Sequence, residues 1–305
     1  AALVLDYRQI QSLLSDYFRP WSGKERAFTR FHLDAATGMP SSTERNLQNI
    51  PTHSEAGARI RHAFTSSGGY VLCSFDYAQI ELKVAAFLSK DEKLIDIFSN
   101  SRDIHTEVAS QVFKVPPEMV DKEMRRRAKV INFGILYGMG VNALKDALGT
   151  TRVEAQEFYN EYFAVFSGIA SYLNFVKADA ERNGYTTTYF GRRRYFEGIR
   201  SKIPFIKAAA ERMAINAPIQ GTQSDIIKIA MARVDEYVAS NKLDNDAFLL
   251  LQVHDELIYE IKEDKADKIA KEIQRIMENI IKPEDIYGIK LSTSYKKGKD
   301  WGSLV

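Results

Sequence analysis

At 305 residues the chain is longer than a single hydrophobic core usually serves, so one large or two closely joined domains are expected, with the 45% hydrophobic and 27% charged content of an ordinary globular protein. Its single cysteine excludes an internal disulfide and fits a reducing, cytoplasmic compartment, and the lack of any apolar run of about 18 residues argues against a membrane span. Net charge is only +2, so contact with a polyanion has to come from local clusters: Arg125-Arg126-Arg127, Arg192-Arg193-Arg194, and Lys296-Lys297, the last reading better as a solvated pair.

Residues 3–17 are periodic enough for a helix that Arg19-Pro20-Trp21-Ser22-Gly23 should break, and a strand-like stretch at 27–31 leads into a loop over 37–51. The run Tyr70-Val71-Leu72-Cys73-Ser74-Phe75-Asp76-Tyr77 reads as a buried strand with Cys73 as inert core. Residues 80–202 read as mostly helical, with a hairpin near 186–194. A helix over 203–216 should end at Ala217-Pro218 and resume over 222–241. A second buried strand, Phe248-Leu249-Leu250-Leu251-Gln252-Val253, runs into a hairpin around Asp255, followed by a helix over 265–281 and a strand near 290–295. Strands segregated from helices in this way favour an α+β fold, an antiparallel sheet packed with helices, over a doubly wound one.

Both strand-like runs deliver a carboxylate, Asp76 and Asp255, to the place where a strand meets solvent. Two carboxylates on adjacent rigid strands can hold two hard cations ~4 Å apart, the arrangement that phosphoryl and nucleotidyl transfer needs on its attacking and leaving oxygens. Taken singly, each is better read as a solvated strand-end aspartate; the intervening helix-forming stretch is what shifts the balance. Between them lies a helix-forming stretch, residues 123–140, in which Arg125, Lys129, Phe133 and Tyr137 recur every four residues and share one face. The stripe offers cationic donors and then flat apolar surface, matching the polarity of a nucleoside triphosphate; the plainer reading is an amphipathic helix with solvated cations and core aromatics. Gly134, Gly138 and Gly140 each cost a helix interior ~1 kcal/mol, which points to close ligand approach or to a bending helix end.

These segments together resemble DNA polymerase family A, the bacterial polymerase I type. Asp76-Tyr77-Ala78-Gln79-Ile80-Glu81-Leu82-Lys83, the 125–140 helix and Gln252-Val253-His254-Asp255-Glu256 are similar to that family's motifs A, B and C. Asn46-Leu47-Gln48-Asn49-Ile50-Pro51, Asp103-Ile104-His105-Thr106, Phe190-Gly191-Arg192-Arg193-Arg194 and residues 211–222 agree in order, so the resemblance covers nearly the whole chain. It implies a right-hand fold lacking most of the thumb: residues 1–28 a thumb remnant, 29–92 and 203–305 the palm, and 93–202 a mainly helical fingers insertion. It implies a longer parent protein carrying the remaining thumb and exonuclease region.

The implied activity is template-directed addition of deoxynucleotides to a primer 3′-hydroxyl, without proofreading in this chain, by a monomer acting on primer-template DNA and deoxynucleoside triphosphates away from membranes. The implied cofactor is a pair of Mg²⁺ ions, with Mn²⁺ able to substitute, held by Asp76, Asp255 and the backbone of Tyr77, with Glu256 a further candidate. Arg125, Lys129 and His105 would clamp the triphosphate, Lys129 counting also among the catalytic groups, and Gln79 would help frame it. Phe133 and Tyr137 would meet sugar and base, and Glu81 would exclude a ribose hydroxyl. Asn46, Asn49, Arg212, Asn216, Gln220, Gln252 and His254 would donate to the minor-groove acceptors that every base pair presents; Asn46 and Asn49 read equally well as turn caps. Met39 departs from the family, whose members usually carry arginine after Thr-Gly. The alternatives are a non-catalytic nucleic-acid-binding remnant and a polymerase preferring RNA templates; retention of Asp76, Asp255 and Lys129 argues against the first.

Overall fold

The computed structural model describes residues 2–51 and 55–304. In chain order the helices are α1 (Ala2–Leu13), α2 (Arg19–Trp21), α3 (Glu55–His62), α4 (Ile80–Ser89), α5 (Glu92–Ser99), α6 (Ile104–Phe113), α7 (Lys122–Leu136), α8 (Val141–Leu148), α9 (Arg152–Val165), α10 (Ser167–Asn183), α11 (Pro204–Ser240) and α12 (Ala266–Glu278). The strands are β1 (Arg30–His32), β2 (Ser41–Thr43), β3 (Tyr70–Tyr77), β4 (Tyr185–Thr187), β5 (Arg193–Tyr195), β6 (Ala247–Val253), β7 (Glu256–Lys262) and β8 (Thr293–Gly298). Two compact units emerge, one from residues 1–77, 230–277 and 293–305, the other from residues 78–229 and 278–292.

The first unit is built on an antiparallel sheet in the order β6-β7-β3-β8. Alternation along β3 sends Cys73, Phe75 and Tyr77 to one face, where Phe75 packs 5.4 Å from the Tyr295 ring and the Tyr77 hydroxyl donates to the Met277 carbonyl at the end of α12. Leu72, Ser74 and Asp76 take the other face. There Leu72 joins Leu47, Ile50, Val253, Ile258 and Trp301 in one core, so that face is apolar at one end of β3 and acidic at the other. Cys73 is fully buried, and burial pushes its thiol up to about 11, as expected of inert core.

The second unit is mainly helical, with the hairpin β4–β5. Asp91, Asp103, Asp121 and Thr151 cap α5, α6, α7 and α9 by accepting backbone N–H groups, so the starts of these helices are written in the sequence.

Several expectations need correction. The first helical run continues to Trp21, because a five-residue π-turn (Leu14–Phe18) with the Arg19 N–H on the Leu14 carbonyl puts Pro20 at the start of a new turn, where no N–H is required. Pro218 does not break α11, which runs unbroken through 37 residues; buried Ala214, Ile215, Ala217 and Ile219 around the proline hold the helix through the lost hydrogen bond. The helix of the cation-aromatic stripe stops at Leu136: Tyr137 is its C-cap, Gly138 takes φ +72°, and the Met139 N–H returns to the Gly134 carbonyl at 2.8 Å. The glycines therefore mark a bending helix end, not an interior. β6 is an edge strand with Phe248, Leu249 and Leu250 each nearly 40% exposed, so an apolar run here does not signal full burial.

Candidate active site

In the first unit, Asp76 lies in register opposite Glu256, and Asp255 occupies the two-residue turn between β6 and β7, where His254 has φ +56°. The Tyr77 N–H donates to the Asp255 carbonyl at 3.2 Å, tying the turn to β3. The two aspartate carboxyl groups are in hydrogen-bond contact. Burial first, and then the charge of Asp255, push Asp76 up to about 7, partly relieved by Lys296. Two carboxylates this close both ionise only at a cost that a nearby cation relieves. Lys296 stands opposite Ser74 on β8, and both it and Lys297 are exposed, as expected of a solvated pair, with Lys297 meeting the surface carboxylate of Asp267 at 2.7 Å. Glu256 accepts from the Ser74 hydroxyl; burial raises its pKa, and the Ser74 bond and the Arg61 charge oppose the rise.

The groove-facing candidates of this unit form a network. Gln48 Nε2 donates to Gln252 Oε1 at 2.9 Å and to the Pro40 carbonyl at 3.1 Å, while Gln48 Oε1 accepts from the Ser42 N–H. Gln252, 2% exposed, donates in turn to the His254 carbonyl at 2.6 Å, so its amide braces the hairpin in this conformation. Asn46 caps the turn at Leu47–Asn49 by accepting from the Gln48 N–H at 2.9 Å, and Asn49 is exposed.

In the second unit, the carboxylate of Asp103 organises the cationic end of the stripe. One oxygen accepts the His105 and Thr106 N–H groups at the start of α6, and the other accepts Nε and Nη2 of Arg125 at 3.2 and 2.7 Å. Burial pushes against ionisation of Asp103, but these bonds outweigh it and hold its pKa below the ordinary value. His105 is buried and its Nδ1 meets the Asn132 amide nitrogen at 3.0 Å. Burial, with the charges of Arg125 and Lys129, depresses His105 to about 4, although Asp103 opposes this. A neutral imidazole whose Nδ1 accepts carries its proton on Nε2, so His105 offers a hydrogen bond and not a charge. Farther along, the Phe133 ring lies 5.9 Å from His105 and 6.2 Å from Tyr137, stacked on the latter, and the Tyr137 hydroxyl donates to the Glu81 carboxylate. Gln79 adopts left-handed φ +54° at the start of α4. Because α11 is continuous, Arg212, Asn216 and Gln220 fall at every fourth residue on one face.

Sequence reasoning gave no role to Asp103, Asn132, Ser74 or Gln48, although Asp103 and Gln48 lie in stretches that carry the family resemblance. Asp103 also left a local signal, an N-cap ahead of a helix; the other three act through contacts with residues distant in sequence.

An antiparallel sheet with a paired-carboxylate turn, and a helical unit bearing a cation-then-aromatic stripe, are the parts from which nucleotidyl-transfer sites are assembled. The chain belongs to DNA polymerase family A: the sequence model of that family matches residues 1–303. It is 41% identical to the thermostable DNA polymerase I of Thermus aquaticus over 98% of this chain and 36% of that protein. It is 43% identical to DNA polymerase I of Pseudomonas aeruginosa over 90% of this chain and 31% of that one. Among solved structures, the polymerase domain of Pol1 from M. smegmatis, in complex with DNA primer-template and dNTP, superposes with a TM-score of 0.92 at 38% identity, covering 98% of this chain and 52% of that one. The chain thus spans about a third of the length of these curated relatives.

Proposed function

We propose that the chain is a template-directed DNA polymerase, adding deoxynucleotides to a primer 3′-hydroxyl, and that it acts in the cytoplasm without proofreading of its own. The observation that carries this reading is the Asp76–Asp255 pair, one carboxylate at the end of β3 and the other on the turn that the Tyr77 N–H ties to that strand, with Asp255 adding to the cost of ionising Asp76. Hard oxygen donors on a strand and an adjoining turn suit Mg²⁺ or Mn²⁺. Two such ions, held by Asp76, Asp255 and the Tyr77 carbonyl with Glu256 alongside, would lower the pKa of the primer hydroxyl and neutralise the leaving pyrophosphate.

The remaining roles follow from the chain's own groups. Arg125 and Lys129 supply positive charge to the triphosphate, and His105 supplies an uncharged Nε2–H donor. Arg125 exchanges its Asp103 carboxylate for phosphate oxygens, two acceptors of like geometry. Phe133 and Tyr137 present ring faces to sugar and base, Gln79 frames the nucleotide, and Glu81, held by Tyr137, fills the space a 2′-hydroxyl would need. Arg212, Asn216 and Gln220 read the minor groove from α11, with Asn46, Asn49, Gln252 and His254 contributing from the sheet unit. In the family's terms the sheet is the palm, residues 93–202 are fingers and residues 1–28 the thumb remnant. The M. smegmatis domain is complexed with primer-template and dNTP, which supports the same partners here.

Primer extension with Mg²⁺, comparing DNA with RNA templates and deoxy- with ribonucleotides, tests the reading. Asp255→Asn should keep its duplex affinity yet retain less than a tenth of wild-type extension; greater retention sinks the assignment.

A further inference from the structure

We propose that the outer face of the β4–β5 hairpin is a stacking platform for unpaired template bases, an inference that rests on the polymerase reading. The register pairs Tyr185 with Tyr195, Thr186 with Arg194 and Thr187 with Arg193. Alternation then puts Thr186 and Arg194 on the inner face, where Thr186 is buried, and Tyr185, Thr187, Arg193 and Tyr195 on the outer one. An outward hairpin face is ordinarily polar. This one carries Tyr195 at 66% exposure, with its ring centroid 5.3 Å from that of Tyr185 and inclined by 56°. The exposed Arg193 guanidinium lies 4.6 Å from the Tyr185 ring centre and is hydrogen-bonded to Tyr195. Two aromatic planes and a cation on one small surface are the elements that bind single-stranded nucleic acid without reading its sequence, because every base has a π-face and every link a phosphate.

The platform is also fixed in place. Arg192 Nε donates to Asp225 Oδ1 at 2.8 Å and its Nη2 to the Gly221 carbonyl at 3.1 Å, and the Tyr189 N–H donates to Thr222 Oγ1 at 3.0 Å. A Cβ at Gly221 would come within 2.6 Å of Thr188, so the hairpin seats directly on α11 at the residue after Gln220. Of the Arg192–Arg194 cluster, Arg192 is thus spent on anchoring, Arg194 lies over Phe196 at 5.3 Å, and Arg193 faces outward. Duplex DNA hides its base faces and offers such a surface only phosphates; unpaired template bases offer both.

The experiment measures affinity of the intact chain for primer-templates of one duplex length carrying template overhangs of one or eight nucleotides. Wild type should bind the longer overhang about 10-fold more tightly, within what one stacked base supplies. Tyr195→Ala should erase that preference and leave affinity for the one-nucleotide overhang unchanged, Arg193→Ala should weaken it and flatten its salt dependence, and an abasic overhang should mimic Tyr195→Ala on wild type. A preference that survives in Tyr195→Ala or on the abasic overhang overturns the proposal, as does no preference in wild type. Dependence on Tyr195 confined to substrates with an unpaired non-template flap overturns the assignment to template. A purely structural tyrosine pair would lower thermal stability and leave the overhang preference intact. Failure of wild type to extend any primer would instead refute the polymerase reading.

Discussion

Replacing Asp255 by asparagine should stabilise the folded chain at alkaline pH while it removes activity. Asp76 is raised from 3.8 to about 7, by burial first and by Asp255 second. An acid with a raised folded-state pKa keeps its proton when folded after the unfolded chain has lost it. Stability therefore falls as pH climbs from about 4 to about 7, and the penalty is complete above 7. The whole rise corresponds to about 4 kcal/mol. Burial takes the larger part, and solvent screening at a half-buried carboxylate trims the remainder, leaving about 1 kcal/mol for the Asp255 charge. Thermal unfolding with a chelator present should then place Asp255→Asn about 1–2 °C above wild type at pH 8, and level with it near pH 4, where Asp76 is protonated and the repulsion is absent. Added Mg²⁺ should raise the wild-type midpoint and move the variant less. A difference that is the same at both pH values, or a less stable variant at pH 8, would refute the argument that like-charge repulsion strains this turn.

Glu81→Ala should relax exclusion of ribonucleotides, and Tyr137→Phe, which removes the bond holding that carboxylate, should do so to a lesser degree; an unchanged ribo-to-deoxy ratio in both would place the gate elsewhere. Because burial holds His105 neutral down to about 4, the KM for nucleotide should show no titration between pH 5.5 and 8 that His105→Gln abolishes, and an inflection near 6.5 lost in that variant would contradict the neutral-donor role. Gly221→Ala drives a Cβ to within 2.6 Å of Thr188 and should cost about 1–3 kcal/mol in denaturant unfolding, whereas Gly68→Ala points into open space and should be near neutral. Met39→Arg should speed matched-primer extension about 10-fold, equivalent to ~1.4 kcal/mol, by adding a charged donor that methionine lacks; equal rates on matched and mismatched primers would show that the position has no such role.

Much of the candidate site's local arrangement was legible because its signals are local. Four-residue spacing alone places Arg125, Lys129, Phe133 and Tyr137 on one face, since helical geometry makes residues four apart neighbours. Aspartates ahead of α5, α6 and α7 announce those helix starts, because a side chain two or three residues away satisfies the orphan N–H groups. The turn carrying Asp255 between two apolar runs was likewise visible. Tertiary structure decided the rest. Helix α11 passes Pro218 because packing around its small buried neighbours outweighs a missing hydrogen bond, and that continuity brings Gln220 into line with Arg212 and Asn216. Edge position, which no single strand encodes, leaves Phe248–Leu250 half exposed. The charge state of Asp76 depends on a carboxylate 179 residues away and that of His105 on burial beneath another helix, so protonation at this site is a property of the folded neighbourhood and not of residue type.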